Sequence, residues 1–246
     1  MHQNNFISDD EALNLIIKCN DAISDNNMSI IANMDYVVVS DSPLGAGLTN
    51  TPGGHYLGKN LLTMTNDDWR TEIYQNTLDR CIKLRTTIKW LSLKFARKPS
   101  HWLIIITFQP IINKSTGNII GFKLTGEAPH HLSIGFQGIR KIINHSKNAK
   151  REIAAQIDEW LTNRELEVLF LLFHCDNYQQ ISNLLSLSYG INYSASMVAK
   201  VVGRNLYNKF EVNNLESLKE AAHKLNYHKS VPISLFGEFM YPLEQL

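Results

Sequence analysis

Cysteine is scarce in this chain of 246 residues. Cys19, Cys81 and Cys175 lie far apart and form no Cys-x-x-Cys pair. That speaks against a disulfide framework and against a zinc finger, and a reducing, cytoplasmic compartment is the expectation. Long apolar runs are missing too. The densest, Trp102–Phe108 and Val168–Phe173, are about seven and six residues against the roughly 20 of a membrane-crossing helix. No basic cluster followed by an apolar core stands at the start, so a secretory leader is not expected. Net charge is almost absent: 24 Lys and Arg against 23 Asp and Glu leave +1. Any hold on a nucleic acid must therefore come from local clustering of cations. Gly-x-Ser-x-Gly, a Walker loop and His-Glu-x-x-His do not occur, and Ser, His and Asp show no catalytic spacing. Catalysis is not expected, and neither a catalytic nor a metal-binding residue is assigned. The pair His130-His131 has no Cys or carboxylate at ligand spacing and reads as loop.

What is present is an ordinary globular composition, with 44% hydrophobic and 19% charged residues, enough for a real core. The length leaves room for two domains of about 100–150 residues. Apolar residues at Leu13, Ile16, Ile17 and Ile23 follow Asp9-Asp10 and predict an N-terminal helix within residues 1–25. Ser29–Ile31 and Tyr36–Val39 read as short strands about a turn, and Ser42–Gly58 as a loop. Trp69–Leu84 has the spacing of a helix. Thr86–Phe95, Trp102–Phe108 and Ile119–Thr125 read as three strands, with a turn at Asn113–Asn118.

Two stretches in this region carry a resemblance. Pro110-Ile111-Ile112 and Asn113-Lys114-Ser115-Thr116-Gly117-Asn118, running into Ile119-Ile120-Gly121, resemble the last hairpin of PAS domains. Tyr56-Leu57-Gly58-Lys59-Asn60 is similar to that family's Gly-Lys turn. The resemblance covers about residues 26–127. It implies an α+β fold, a five-stranded antiparallel sheet with helices, that often encloses a small molecule and often dimerises. His55, Trp69, Trp90 and Trp102 are the candidate ligand-binding residues, because a ring with a polar handle can orient a guest in an apolar cavity. His101 is a further ring of this kind. The competing reading makes the tryptophans core and the histidines surface. Cys19 and Cys81 lack the Asn-Cys-Arg-Phe context of flavin photosensors, and nothing marks a haem ligand. The cofactor is left unknown, a small-molecule ligand being the expectation.

A connector, residues 128–157, is predicted to become helical. Arg140, Lys141, Lys147, Lys150 and Arg151 dominate its charge. Ile139, Ile142, Ile143, Ile153 and Ile157 offer an apolar seam that could pair two subunits. Beyond it, Leu161-Thr162-Asn163-Arg164-Glu165-Leu166-Glu167-Val168-Leu169 closely resembles the start of the LuxR-type helix-turn-helix. Thr162 and Glu165 stand at capping-box spacing. Asp176–Leu185 resembles the family's second helix, and Lys209-Phe210-Glu211-Val212 its Lys-Leu-x-Val ending. The resemblance implies an all-α, four-helix DNA-binding domain over residues 158–228, closed by a helix at Leu215–Leu225, with a tail over 229–246. The recognition helix would run from about Ser196 to Lys209. Between it and the second helix, Leu187–Tyr193 looks like an inserted extended turn of about seven residues, and the carry-over is ambiguous by a residue near Met197-Val198-Ala199.

Ser194 or Ser196 can cap that helix, with Val198, Val202 or Val201, Leu206 and Phe210 as its apolar stripe. Lys200, Arg204, Asn205 and Lys209 offer cations to phosphates and forks to base edges. Tyr178, Gln179 and Gln180, opening the preceding helix, are placed to hold a phosphate. One short helix reads only a few base pairs, so a homodimer on double-stranded DNA is expected. A DNA-binding regulator with a PAS-like sensor is the functional reading. The alternative puts an acyl-homoserine-lactone pocket in the first domain, on the strength of Trp69 and Tyr74. The apolar tail should not hang in water; it packs on the DNA-binding unit or on a second subunit.

Overall fold

The computed structural model describes residues 6–22, 28–42, 55–64, 68–94, 102–127, 134–146 and 160–246. The chain divides into two compact units, Met1–Trp90 with Ile105–Ala128, and Leu91–Ile104 with Pro129–Leu246.

The first unit opens with helix α1 (Asp9–Ala22). Asp9 fixes its start by accepting hydrogen bonds from Asn113 (2.7 Å), Thr116 (2.6 Å) and Asn118 (2.8 Å). The bonds from Thr116, Asn118 and Asn113 hold its carboxyl below the usual range. Strands β1 (Met28–Ala32) and β2 (Val38–Asp41) follow, then helix α2 (Asp68–Leu84). Strands β3 (Ile88–Lys94) and β4 (Trp102–Ile112) cross the division between the units, and β5 (Ile119–Glu127) completes this half. β1 runs antiparallel to β2 and to β5, with Ile30 opposite Leu124, and β5 runs antiparallel to β4, with Phe108 opposite the same Leu124. Ala12, Leu13, Ile16 and Ile17 of α1 cover Ile31, Ile111 and Ile120. A side chain on Gly121 would strike the Ala32 carbonyl and crowd Leu13. The apolar-x-Gly of the hairpin is thus a close-approach point between strands and helix.

Helices make up most of the second unit: α3 (Phe136–His145), α4 (Asn163–Leu172) and α5 (Tyr178–Tyr189). Next comes a continuous helix α6 over residues 195–209, α-helical at Ala195–Lys200 and Tyr207–Lys209 and π-helical at Val201–Leu206 between them. α7 (Leu215–Lys224), a 3-10 turn, α8 (Ile233–Phe236) and strand β6 (Phe239–Pro242) complete it. The sheet order is β2-β1-β5-β4-β3-β6. The sequence predicts five strands, and the sheet has six, because the apolar tail supplies Phe239–Pro242 beside β3. Burial explains it: Phe236, Phe239, Met240 and Tyr241 are all buried in this chain.

In the connector, Ile139, Ile142 and Ile143 are fully buried within the chain, where α3 meets α5, α8 and β6. Those three isoleucines are therefore not the free seam for a second subunit that the sequence suggests. Arg140 and Lys141 stay exposed, Lys141 donating to the Gln245 carbonyl at 2.7 Å. Lys147, Lys150, Arg151, Ile153 and Ile157, like His101, His130 and His131, lie outside the described residues.

Candidate nucleic-acid interface

Helix α4 is the post on which the interface is built, buried from Glu165 to Leu172. Its capping box is closed: Thr162 accepts from the Glu165 amide, and the Glu165 carboxylate accepts from the Thr162 amide at 2.8 Å. Glu165 also pairs with Lys209 at 2.8 Å, and Lys209 donates to the Trp160 carbonyl at 2.6 Å. Burial pushes the Glu165 carboxyl up. The bonds from Lys209, Thr162 and Asn205 outweigh burial and leave it below its ordinary value. One carboxylate thus caps α4 and pins the far end of α6, with Lys209 and Asn205 engaged in that work.

Helix α5 begins at Asn177, whose side chain accepts from the Gln180 amide at 3.0 Å. Gln180 folds back on Asp176, accepting from its amide at 2.9 Å, while Gln179 is exposed and donates to Asn183 at 3.0 Å. Tyr178 is half-buried beside Tyr207; burial first and then Tyr207 raise its phenol. The extended turn expected at Leu187–Tyr193 is helix over its first three residues and turn from Gly190 on. α5 continues to Tyr189 and stops at Gly190, which takes the left-handed conformation (φ 69°) suited to glycine. The extra residues lengthen the second helix because Ser188 and Tyr189 find partners beneath it. Ser188 donates to the Leu235 carbonyl at 2.9 Å, and the Tyr189 hydroxyl to Glu167 and to the Ser234 carbonyl at 3.2 Å.

Those partners form a closed cluster. The Arg164 guanidinium lies 4.4 Å from the Tyr189 ring centre and 4.6 Å from that of Tyr193. It donates to the Tyr193 hydroxyl at 2.6 Å and pairs with Glu167, wholly buried, at 2.8 Å. Burial, then the Glu167 charge, raises the Tyr189 phenol well above its usual value, so the hydroxyl stays a donor. Tyr193 immediately precedes Ser194, the cap of α6, and its own amide donates to Ser186 at 2.9 Å. The first turn of α4 therefore grips both ends of the α5–α6 turn.

Ser194 caps α6 by accepting from the Met197 amide at 3.3 Å, and Ser196 sits exposed beside it, the two hydroxyls 2.8 Å apart. The buried stripe is Val198, Val202, Leu206 and Phe210, a strict four-residue period. An α-helix turns once in about 3.6 residues, so such a stripe drifts around it. The π-helical segment, where the Tyr207 amide bonds the Val202 carbonyl five residues back, is wound wider and drifts the other way. Together they keep all four side chains in line against the core. On the outside the same winding aligns Ser196, Lys200, Arg204 and Asn208, every one exposed.

Among the described sensor candidates, each ring has its own surroundings. His55 is exposed, edge-on to Tyr56 at 4.9 Å and 3.3 Å from the Lys59 ammonium. Trp69 is 38% exposed under the Arg70 guanidinium at 4.9 Å. Trp90 is buried, its indole donating to Thr77 at 3.0 Å, and Thr77 donates to the Ile73 carbonyl. The Trp102 side chain lies outside the described residues. A tighter group, not among the candidates except through the Tyr74 hint, is Tyr74 edge-on to Phe108 at 5.0 Å with buried Arg70 near it. Burial first, against the opposing charge of Arg70, pushes the Tyr74 phenol up to about 12. Since Trp69 faces outward while Tyr74 packs on Phe108, the pair that suggested a lactone pocket does not share one wall.

One titratable group gives the unit a pH dependence. His174, packed on Phe170 at 4.5 Å, is pressed down to about 4 from 6.5 by burial, against the raising effect of a backbone hydrogen bond at Ile134. Between those values the unfolded chain holds a proton that the folded chain refuses. Stability is therefore full above pH 6.5 and falls as the pH drops from 6.5 toward 4, by about 3 kcal/mol from this group. Urea unfolding at pH 7 and pH 5 should show a steeper loss for the native chain than for His174→Gln; equal losses would contradict the assignment.

Among the described residues no helix is long and apolar enough to cross a membrane. No family model matches the sequence, and no curated protein matches it. Solved structures do. The chain joins a sheet-and-helix unit to a mostly helical one. The particular fold is that of VqmA. The Vibrio cholerae VqmA–ligand–DNA complex matches with TM-score 0.60 and 18% identity, over 94% of this chain and 96% of that one. The phage VqmA–DPO complex matches with TM-score 0.57 and 19% identity, over 96% and 97%. A PAS domain from Colwellia psychrerythraea aligns with 47% of this chain and 95% of its own length at 9% identity, TM-score 0.37. What the two VqmA likenesses establish is the fold.

Proposed function

We propose that the chain is a DNA-binding transcriptional regulator in which α6 enters the major groove and the first unit receives a signal. One observation carries this reading: a capped helix buries Val198, Val202, Leu206 and Phe210 and turns Lys200 and Arg204 fully outward. No acidic residue lies between Ser194 and Phe210 to offset them. Lys200 is a phosphate contact, and Arg204 a phosphate or guanine contact. Ser194 and Ser196, with Gln179 and the start of α5, hold flanking phosphates. Lys209 and Asn205 position α6 through their bonds to Glu165. The VqmA complex with DNA, in a chain of the same fold, supports the groove reading. A homodimer follows from the few base pairs one such helix can read. That the phage relative is a complex with DPO supports a small-molecule signal for the first unit, with the surroundings of Tyr74, Arg70 and Phe108 as the place to look.

The test uses a 30-base-pair duplex enriched from a random-sequence pool by the full chain. Arg204→Ala should weaken binding by about 1–3 kcal/mol. Lys200→Ala should weaken it on all sequences alike and lower the slope of log affinity against log salt by about one. Both variants should keep the native unfolding midpoint. Failure of the native chain to enrich any duplex sinks the reading, as does undiminished affinity in both variants.

A further inference from the structure

Gly203 stands in the middle of α6, exposed, between Lys200 and Arg204. Glycine inside a helix is unfavourable, because it gives up more backbone freedom than alanine and packs nothing. Two of the described glycines show a visible reason for having no side chain. Gly190 takes a left-handed cap, and Gly121 lies too close to the Ala32 carbonyl for a side chain. Gly203 shows neither reason. Its backbone is not in the left-handed region, and a β-carbon built on it would meet no atom within 4 Å. Conformation and internal packing both leave alanine free to occupy the site.

What remains is something outside the chain that needs the space. The residues around Gly203 say what it is. One turn earlier in the helix, on the same side, is the small Ala199, and the exposed row Ser196, Lys200, Arg204 and Asn208 runs alongside. The π-helical winding centred here keeps that row straight, so the cations run along one side of a strip of small residues, with the buried stripe on the other. A polyanion with a groove fits this: the cations take its phosphates while the strip approaches its interior edge. We propose that Gly203 is the point at which the α6 backbone comes into direct contact with the floor of the DNA major groove, and that its missing side chain sets how deep the helix seats. Gly203 is on this account a positioning residue, and the inference rests on the groove reading of α6 given above.

The prediction separates stability from binding, which a merely structural glycine could not do. Gly203→Ala should raise the thermal midpoint of the full chain by about 2–4 °C, since alanine favours helix and meets nothing. The same variant should bind the enriched 30-base-pair duplex at least tenfold more weakly. On a random-sequence duplex at low salt, where phosphate attraction dominates, it should bind within about threefold of the native chain. Gly203→Leu should remove binding to the enriched duplex. Equal affinity of the native chain and Gly203→Ala for the enriched duplex, with the native chain binding it well, overturns the role of Gly203 and leaves the groove reading intact. Absence of any enriched duplex for the native chain overturns the groove reading itself. A fall in thermal midpoint in Gly203→Ala also counts against the proposal, since it would show an internal need for glycine.

Discussion

Arg164→Ala should destabilise the chain by about 3–5 kcal/mol, a large part of the roughly 5–15 kcal/mol that holds a domain of ordinary size together. The reason is what it leaves behind. Glu167 is wholly buried, and Arg164 is the cation paired with it. Removing the guanidinium takes the ion pair away from a carboxylate held out of water, at which the Tyr189 hydroxyl also points. The cation–π contacts to the Tyr189 and Tyr193 rings go at the same time. Urea unfolding of the full chain measures the loss. A second substitution distinguishes a stranded charge from lost packing: Arg164→Met combined with Glu167→Met should recover most of the stability, because no buried charge then remains. A loss under about 0.5 kcal/mol for Arg164→Ala would place Glu167 in a far wetter setting than its burial allows.

That cluster is also where reading the sequence stops short. The parts of the fold carried by local pattern were legible. The capping box at Thr162 and Glu165 forms, the helix over Trp69–Leu84 forms, and the hairpin about Asn113–Asn118 forms with Gly117 in its turn. Each is settled by residues three or four apart, or by alternation on neighbouring strands. The α6 stripe was legible as well, although the choice between Val201 and Val202 was open. A four-residue period fits neither an α-helix nor its register with the family, and only the wider π-helical winding resolves it in favour of Val202.

Non-local partners decide the rest. Leu187–Tyr193 reads as turn because its sequence, with Gly190 and Asn192, is that of a turn. Its first three residues are helix because the tail offers the Ser234 and Leu235 carbonyls to Tyr189 and Ser188, while Arg164, 29 positions before Tyr193 in sequence but 2.6 Å away, holds the turn that follows. The cationic face divides for the same reason. From sequence Lys209 and Asn205 are grouped with Lys200 and Arg204, but Glu165, on a different helix, engages the first two. Of the ring-bearing sensor candidates, Trp90 is absorbed by a hydrogen bond to Thr77 and Trp69 by Arg70. A side chain chosen for its chemistry says nothing of whether a neighbour has already used it.

The tail gives the second large effect. Phe236→Ala should cost about 3–5 kcal/mol, although it lies after the last helix that the family resemblance accounts for. Phe236 is 2% exposed, edge-on to Phe170 of α4 at 5.7 Å and near Phe239 at 5.9 Å. Its ring thus helps to wall the helix that carries the capping box and Arg164. The neighbouring carbonyls of Ser234 and Leu235 hold the end of α5, so a collapsing cavity here should reach the turn before α6. Leu225→Ala is the matched comparison: that residue is 57% exposed and should stay within about 0.5 kcal/mol of native. If the tail instead served mainly to join two subunits, Phe236→Ala would shift the unfolding midpoint by an amount that shrinks as the chain is diluted, because the native dimer then dissociates as well. A loss of several kcal/mol that is independent of chain concentration is the expected result, because the ring is already buried inside a single chain.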